Sequence, residues 1–175
     1  LDGSWLRVLL PYGGERMALE TAQSAQPRSA IRALGAARAD APLFAITGEG
    51  VYRRQAEGAG WELLAGGLPD VREASDAQLV MAMSPTFTED RTLFVGGWVG
   101  DHQGLGVWRS TDGGDTWQPA WQGLEHLRVE SLVLSPDYGR DQTLLAYCQY
   151  SDLIQGETGR SVWKSVDGGG QWALL

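Results

Sequence analysis

The sequence has few of the residue types that build disulfides and metal sites. Its 175 residues include one cysteine, Cys148, which excludes an internal disulfide, and the alternating pattern around it favours a packed thiol. The two histidines, His102 and His126, are too few and too scattered for a recognisable metal-ligand spacing. Phosphate-cradling Gly-Lys-Ser/Thr and nucleophilic Gly-x-Ser-x-Gly phrases are also missing. We therefore expect no metal and no cofactor.

Basic charge and long apolar runs are missing as well. The chain has 22 acidic against 14 basic residues, a formal net charge of −8 and a pI of about 4.7, which argues against nucleic acid as a partner. No apolar run approaches the roughly 20 residues of a membrane span. The first residues lack the basic start and apolar core of a signal peptide, but the chain does not begin with Met. We expect no membrane span and leave the compartment open.

Tryptophans recur at a nearly constant spacing along the chain. Trp5, Trp61, Trp117 and Trp172 are separated by intervals of 56, 56 and 55 residues. Each interval holds four short segments rich in β-branched and aromatic residues, separated by Gly, Pro, Asp and Ser. A repeat of about 50 residues with four strands is typical of a β-propeller blade. The sequence therefore predicts an all-β chain of three four-stranded antiparallel blades.

The strands of each predicted blade follow from alternating apolar and polar positions. A Ser-Pro pair after the first strand of the second and third blades predicts a turn there. The first strands are at residues 29–34, 78–83 and 130–134, the second at 41–46, 92–95 and 143–146, the third at 51–54, 107–110 and 162–165, and the fourth begins at Trp61 or Trp117.

The predicted blades span approximately residues 11–64, 65–120 and 121–175, with residues 5–10 as an outer strand of a neighbouring blade. An Ala-rich stretch at residues 15–22 favours a short inserted helix. Three blades are fewer than a closed propeller needs, so we expect part of a ring of roughly 6–8 blades. The further blades belong to another chain, to another segment or to a second copy that closes a ring around a twofold axis; an open, curved arrangement is the alternative.

The hairpin after the third strand carries a recognisable phrase. Residues 110–117, Ser-Thr-Asp-Gly-Gly-Asp-Thr-Trp, resemble the Asp-box, or bacterial neuraminidase repeat, Ser-x-Asp-x-Gly-x-Thr-Trp. Residues 165–172 match it except at Gln171, and residues 54–61 keep only the glycine and the tryptophan. Turn chemistry explains the motif, since glycines take positive φ and an Asp accepts backbone N–H groups. We expect structural roles for Ser110, Asp112, Gly114, Trp117, Ser165, Asp167, Gly169 and Trp172.

Function does not follow from this resemblance. Asp-boxes occur in sialidases, sortilin-type receptors, xyloglucan-degrading hydrolases and a photosystem assembly factor, which are chemically unrelated. The Arg-Ile-Pro phrase of the sialidases is absent here, so no catalytic residue can be assigned.

Candidate binding residues lie in the connections between second and third strands, at the end of the blades opposite the boxes. These connections lengthen from residues 47–50 to 96–106 and 149–160. Aromatic rings beside amides and carboxylates suit a sugar face or a protein contact, although Trp98 packing only its own loop is an equal alternative. The candidates are Trp98, Asp101, His102, Gln103, Tyr150, Asp152 and Arg160.

These patterns predict a non-catalytic interaction module that binds a protein or carbohydrate partner. The alternative is a fragment of a glycan-cleaving propeller enzyme, in which Asp101 and Asp152 form the acid–base pair. A purely structural segment of a larger protein is the third possibility.

Overall fold

A computed structural model describes residues 33–35, 42–56, 59–72, 74, 76–100, 103–152 and 157–175. They form three antiparallel four-stranded sheets in which neighbouring strands follow chain order, in agreement with the all-β prediction. Unit 1 contains β1 (Ala33–Gly35), β2 (Leu43–Thr47), β3 (Gly50–Arg54) and β4 (Glu62–Leu64); unit 2 contains β5 (Gln78–Met83), β6 (Leu93–Val99), β7 (Gln103–Ser110) and β8 (Gln118–Pro119); unit 3 contains β9 (Arg128–Leu134), β10 (Leu144–Asp152), β11 (Glu157–Ser165) and β12 (Ala173–Leu174). The outer strand expected at residues 5–10 and the helix expected at 15–22 lie outside the described residues.

The longer connections are mostly strand, which corrects the expectation of variable loops. β6 and β7 leave only residues 100–102 between them, and β10 and β11 leave only 153–156. Glycine is weak in strands, but Gly97 and Gly104 are needed here for close backbone approach, because a side chain on Gly97 would overlap the carbonyl of Gln78 and one on Gly104 would overlap the backbone of Leu127. Tertiary packing therefore overrides local propensity here.

The turns predicted after the Ser-Pro pairs contain short helical turns, α1 (Phe87–Asp90) and α2 (Tyr138–Asp141). Asp90 accepts hydrogen bonds from the hydroxyls of Ser84 and Thr86 and from the backbone N–H of Thr92. Asp141 repeats the bonds from a serine hydroxyl and a threonine N–H. These bonds close each turn so that one aromatic side chain, Phe87 or Tyr138, points into the protein.

The hydrophobic core lies between successive sheets. One cluster joins units 1 and 2, where the ring of Phe87 meets that of Phe44 edge-on at 5.5 Å. The other joins units 2 and 3, where Tyr138 meets Phe94 in the same way at 5.8 Å. Each helical turn thus packs its aromatic ring onto the second strand of the preceding unit. In the described part of the chain, no helix is both long and apolar enough to cross a membrane.

Candidate functional site

The first hairpin of interest, residues 110–117, is closed by its own side chains. The Ser110 hydroxyl accepts the N–H of Gly114 at 2.8 Å and donates to Asp112 at 2.7 Å. Asp112 also accepts the N–H and the hydroxyl of Thr116. Burial alone would raise the pKa of Asp112, but these hydrogen bonds outweigh it and lower the pKa to about 2. The Asp112 carboxylate therefore accepts its hydrogen bonds from groups of the same turn.

The second such hairpin, residues 165–172, repeats the bonds from serine and from the backbone but lacks the threonine hydroxyl bond. Asp167 accepts from the Ser165 hydroxyl and the N–H of Gln171, and these bonds lower its pKa. The described bonds include none from the Gln171 side chain to Asp167, whereas Thr116 supplies one to Asp112. We call residues 110–117 and 165–172 the box hairpins and infer a structural role for their aspartates.

At the opposite end of the units, Trp98 of unit 2 lies against Arg128 of unit 3. Trp98 is half-buried near the end of β6, and Arg128 begins β9. The Arg128 guanidinium carbon lies 4.7 Å from the centroid of the Trp98 ring, a cation–π arrangement. This contact holds the indole in place between two sheets.

Two residues before Arg128, His126 stacks on Tyr150. Their ring centroids are 4.5 Å apart with an interplanar angle of 20°. His126 Nδ1 lies 2.8 Å from the Ser161 hydroxyl, which also accepts a hydrogen bond from the indole N–H of Trp163. Because the serine oxygen accepts from Trp163, its own proton is available to Nδ1, which fixes the imidazole against the tyrosine ring.

The backbone of residues 126–128 brings these two contacts together. The Leu127 carbonyl accepts the N–H of Gly106 at 2.9 Å, and the chain passes directly over Gly104. Residues 126–128 therefore run along unit 2 while their side chains reach Trp98 on one side and Tyr150 on the other. We call Trp98, His126, Arg128 and Tyr150 the aromatic strip.

Of the predicted binding residues, the structure brings Trp98 and Tyr150 to the two ends of this strip. Gln103 is exposed on β7, paired with Val99. Arg160 pairs across the sheet with Gln149, its side chain is 63% exposed, and it lies 3.8 Å from Glu130. Because adjacent residues of a strand point to opposite faces, Arg160 lies on the face opposite Ser161 and therefore away from the contact between His126 and Ser161.

Three further candidates cannot be placed in the strip. Asp101 and His102 lie outside the described residues, and so does the side chain of Asp152, which ends β10. The sequence did not indicate His126 and Arg128 as candidate site residues. His126 lies just before β9 and Arg128 begins it, in a part of the chain that does not repeat between units. Their only signal was the presence of an aromatic and a cationic side chain before an alternating strand.

A cavity of about 230 Å³ lies between units 1 and 2. Its walls are mostly apolar, and charged groups at its edge come from Glu49 and from the exposed Asp70–Arg72 ion pair. The lining includes Ala65, which occupies the repeat position of Trp121. The Trp121 ring packs on Trp108 with centroids 4.8 Å apart, so a small residue at position 65 helps to leave this space open.

The described residues contain no cluster of three or more His, Cys, Asp or Glu side chains placed to hold a metal ion. Burial raises the pKa of the Cys148 thiol to about 12, so it stays protonated at neutral pH.

Comparison with known proteins identifies the fold. No model of a known protein family and no curated protein matches the sequence. Among solved structures, the chain is similar to the Niastella koreensis GH74 enzyme, with 22% identity and a TM-score of 0.54 over 77% of this chain and 19% of that chain. It is also similar to the GH74 xyloglucanase of Xanthomonas campestris, with 17% identity and a TM-score of 0.46 over 92% of this chain and 32% of that one.

The chain thus spans about a fifth of the length of the first protein and about a third of the second. The first similarity fits a β-propeller, in agreement with the three antiparallel sheets. It concerns the fold, and a fold of this kind carries many activities.

Proposed function

We propose that this chain is part of a glycan-cleaving β-propeller and that the aromatic strip supplies part of its glycan-binding surface. One observation carries the proposal: residues 126–128 contact both Trp98 of unit 2, through Arg128, and Tyr150 of unit 3, through His126. This is the alternative expected from the sequence, and we favour it over the non-catalytic module.

The strip has the chemistry that sugars require. A pyranose presents a C–H face that stacks on an aromatic ring and hydroxyls that bond to cationic and amide groups. Trp98 and Tyr150 are each half-buried, so both residues retain some exposed surface. Their contacts with Arg128 and His126 already hold them in place. A glycan would therefore bind without the full entropic cost of ordering these side chains.

The similarity to a GH74 enzyme supports the catalytic part of the proposal. Glycoside hydrolysis generally needs two carboxyl groups on either side of the scissile bond. On this chain we propose Asp101 and Asp152 for that role, since Asp101 comes shortly after β6 and Asp152 ends β10, the corresponding strand of the next unit. Replacing both by Asn should abolish turnover of a glycan that the chain still binds.

The decisive experiment measures glycan affinity for the whole chain, for two test variants and for one control variant. Isothermal titration with xyloglucan and cello-oligosaccharides should show binding that Trp98→Ala and Tyr150→Ala each weaken by about tenfold, near the contribution of one aromatic contact. Tyr147→Ala is the matched control, because Tyr147 is an exposed tyrosine pointing to the other face of the same strand. If all three variants bound as tightly as the wild-type chain, the proposal would be contradicted. It would also be contradicted if the wild-type chain bound neither xyloglucan nor the cello-oligosaccharides.

A further inference from the structure

One face of unit 3 exposes a row of apolar side chains beside a lysine. Val133, Tyr147, Val162 and Leu175 are exposed to 56%, 36%, 37% and 71%, and Lys164 lies beside them. Strand pairing sets Tyr147 opposite Val162 and Leu145 opposite Lys164. We call this surface the outer face of unit 3.

The corresponding faces of units 1 and 2 are buried. In unit 1, Ile46 pairs with Val51 and Phe44 with Arg53, which matches the two cross-strand pairs of unit 3. Phe44, Ile46 and Val51 are fully buried, and Leu64, at the repeat position of Leu175, is 5% exposed. In unit 2 the same positions hold buried Phe94, Val107 and Ala120.

In both cases the next unit covers the face with the same two elements. The first is a box hairpin: Gly114 packs on Leu64, and Gly169 packs on Ala120 and Phe94. The second is the helical turn, whose aromatic ring meets Phe44 or Phe94 edge-on.

A cation completes the contact each time. Arg53 donates to the carbonyl of Gly113 in the following hairpin at 2.9 Å. Arg109 holds the same repeat position, and its guanidinium lies beside Gly168, the corresponding glycine of the next hairpin. Lys164 is the third member of this series.

We propose that the outer face of unit 3 docks a further four-stranded unit that carries its own box hairpin and an aromatic helical turn. The aromatic ring packs on Leu145, the second hairpin glycine packs on Leu175, and Lys164 donates to the carbonyl of the first hairpin glycine. An acidic residue two positions after that glycine, as Asp115 follows Gly113, would add an ion pair with Lys164. The inference concerns assembly and does not depend on glycan binding.

The occupant is a unit outside the 175-residue sequence, not unit 1 of a second copy. The face that unit 1 would offer is already buried, since Ala45, Thr47, Tyr52 and Arg54 are at most 8% exposed. Residues 54–61 also lack the serine and aspartate that close a box hairpin.

The test adds such a unit to the chain and measures how accessible the amine of Lys164 remains. Lys164 is the only lysine in the sequence. In the extended chain, a second copy of residues 65–120 is added directly after Leu175. The added residues contain no lysine, and Leu175 precedes them as Leu64 precedes residue 65 in the original sequence. We expect acetylation of the Lys164 amine, followed by mass spectrometry, to slow by at least about tenfold in the extended chain. The α-amino group serves as the internal control for reagent reactivity. Val162→Asp in the extended chain should restore the fast rate, whereas Thr158→Asp, an exposed strand position near the other end of unit 3, should not.

Unchanged acetylation of Lys164 would overturn the proposal, and so would an added unit without slowly exchanging amides, because the outer face is what should order it. Light scattering on the original chain tests the other possible occupant of this face, a second copy of the chain. A dimer that Val162→Asp dissociates would show that a second copy covers this face and would likewise overturn the proposal.

Discussion

Arg53 of unit 1 and Asp115 of unit 2 form an ion pair of 2.6 Å between sheets. The guanidinium also donates to the Gly113 carbonyl and to Glu62, each at 2.9 Å, and its side chain is only 6% exposed, whereas that of Asp115 is 52% exposed. Burial acts to lower the pKa of Arg53, but the bonds to Glu62 and Asp115 outweigh it and raise the pKa. The cation, more than either carboxylate, joins the two units.

Removing the cation should therefore cost more than removing its partner. We expect Arg53→Ala to lower the free energy of unfolding by about 2 kcal/mol, because three hydrogen bonds are lost. Asp115→Ala should cost under about 1 kcal/mol, since Arg53 keeps two partners and Asp115 is half-exposed. Urea denaturation measures both, with exposed Arg140→Ala as the control. Equal losses for Arg53→Ala and Asp115→Ala would contradict this assignment.

The box hairpins predict a second difference in stability. Asp112→Ala removes bonds to Ser110 and to the backbone and side chain of Thr116, and should cost about 1–2 kcal/mol without changing glycan affinity. Asp167→Ala should cost less, because Gln171 supplies only its backbone N–H. Exposed Asp137, which makes no side-chain capping bond, provides the control Asp→Ala change. Loss of binding in a folded Asp112→Ala protein would instead give that carboxylate a functional role.

Acid should weaken the fold through the same carboxylates. The pKa of Asp112 is about 2, and hydrogen bonds from serine hydroxyls and backbone N–H groups also lower the pKa values of Asp167 and Asp141. A folded pKa below the unfolded value of about 3.9 means that the stabilisation is complete above about pH 4 and is lost as the pH falls toward about 2. Urea midpoints measured from pH 6 to pH 2 should show this fall. A double variant, Asp112→Asn with Asp167→Asn, should flatten it, and an unchanged pH profile in that variant would exclude these two groups as the cause.

The position of Tyr150 can be tested without changing its chemistry. Gly159 pairs with Tyr150 across the sheet, and a methyl group there would overlap the phenol ring. Gly159→Ala should displace the ring from His126 and weaken glycan binding to the level of Tyr150→Ala, with only a small loss of stability. Thr158→Ala, exposed on the same strand, is the control. Full affinity in Gly159→Ala, if Tyr150→Ala has lost it, would show that the stacked geometry is unimportant.

The sequence by itself determined the repeat and its local turns. Tryptophan spacing and alternating segments predicted sheets of four strands, and the phrase from Ser110 to Trp117 predicted a hairpin whose bonds join residues no more than four apart. Such interactions depend on neighbours in the chain, so the pattern of residue types is sufficient to identify them.

Tertiary structure decided which strands continue and which side chains meet. Gly97 and Gly104 fall in a segment that the sequence predicted to be a loop. In the structure they lie in strands, where the backbones of Gln78 and Leu127 approach them closely. The same holds within a repeated motif: the indole N–H of Trp117 donates to Gly114 in its own hairpin, whereas that of Trp172 donates to Ala120 in the preceding unit. Local pattern cannot separate these two outcomes, because the packing of one sheet against the next selects the acceptor, and that packing joins residues distant in the chain.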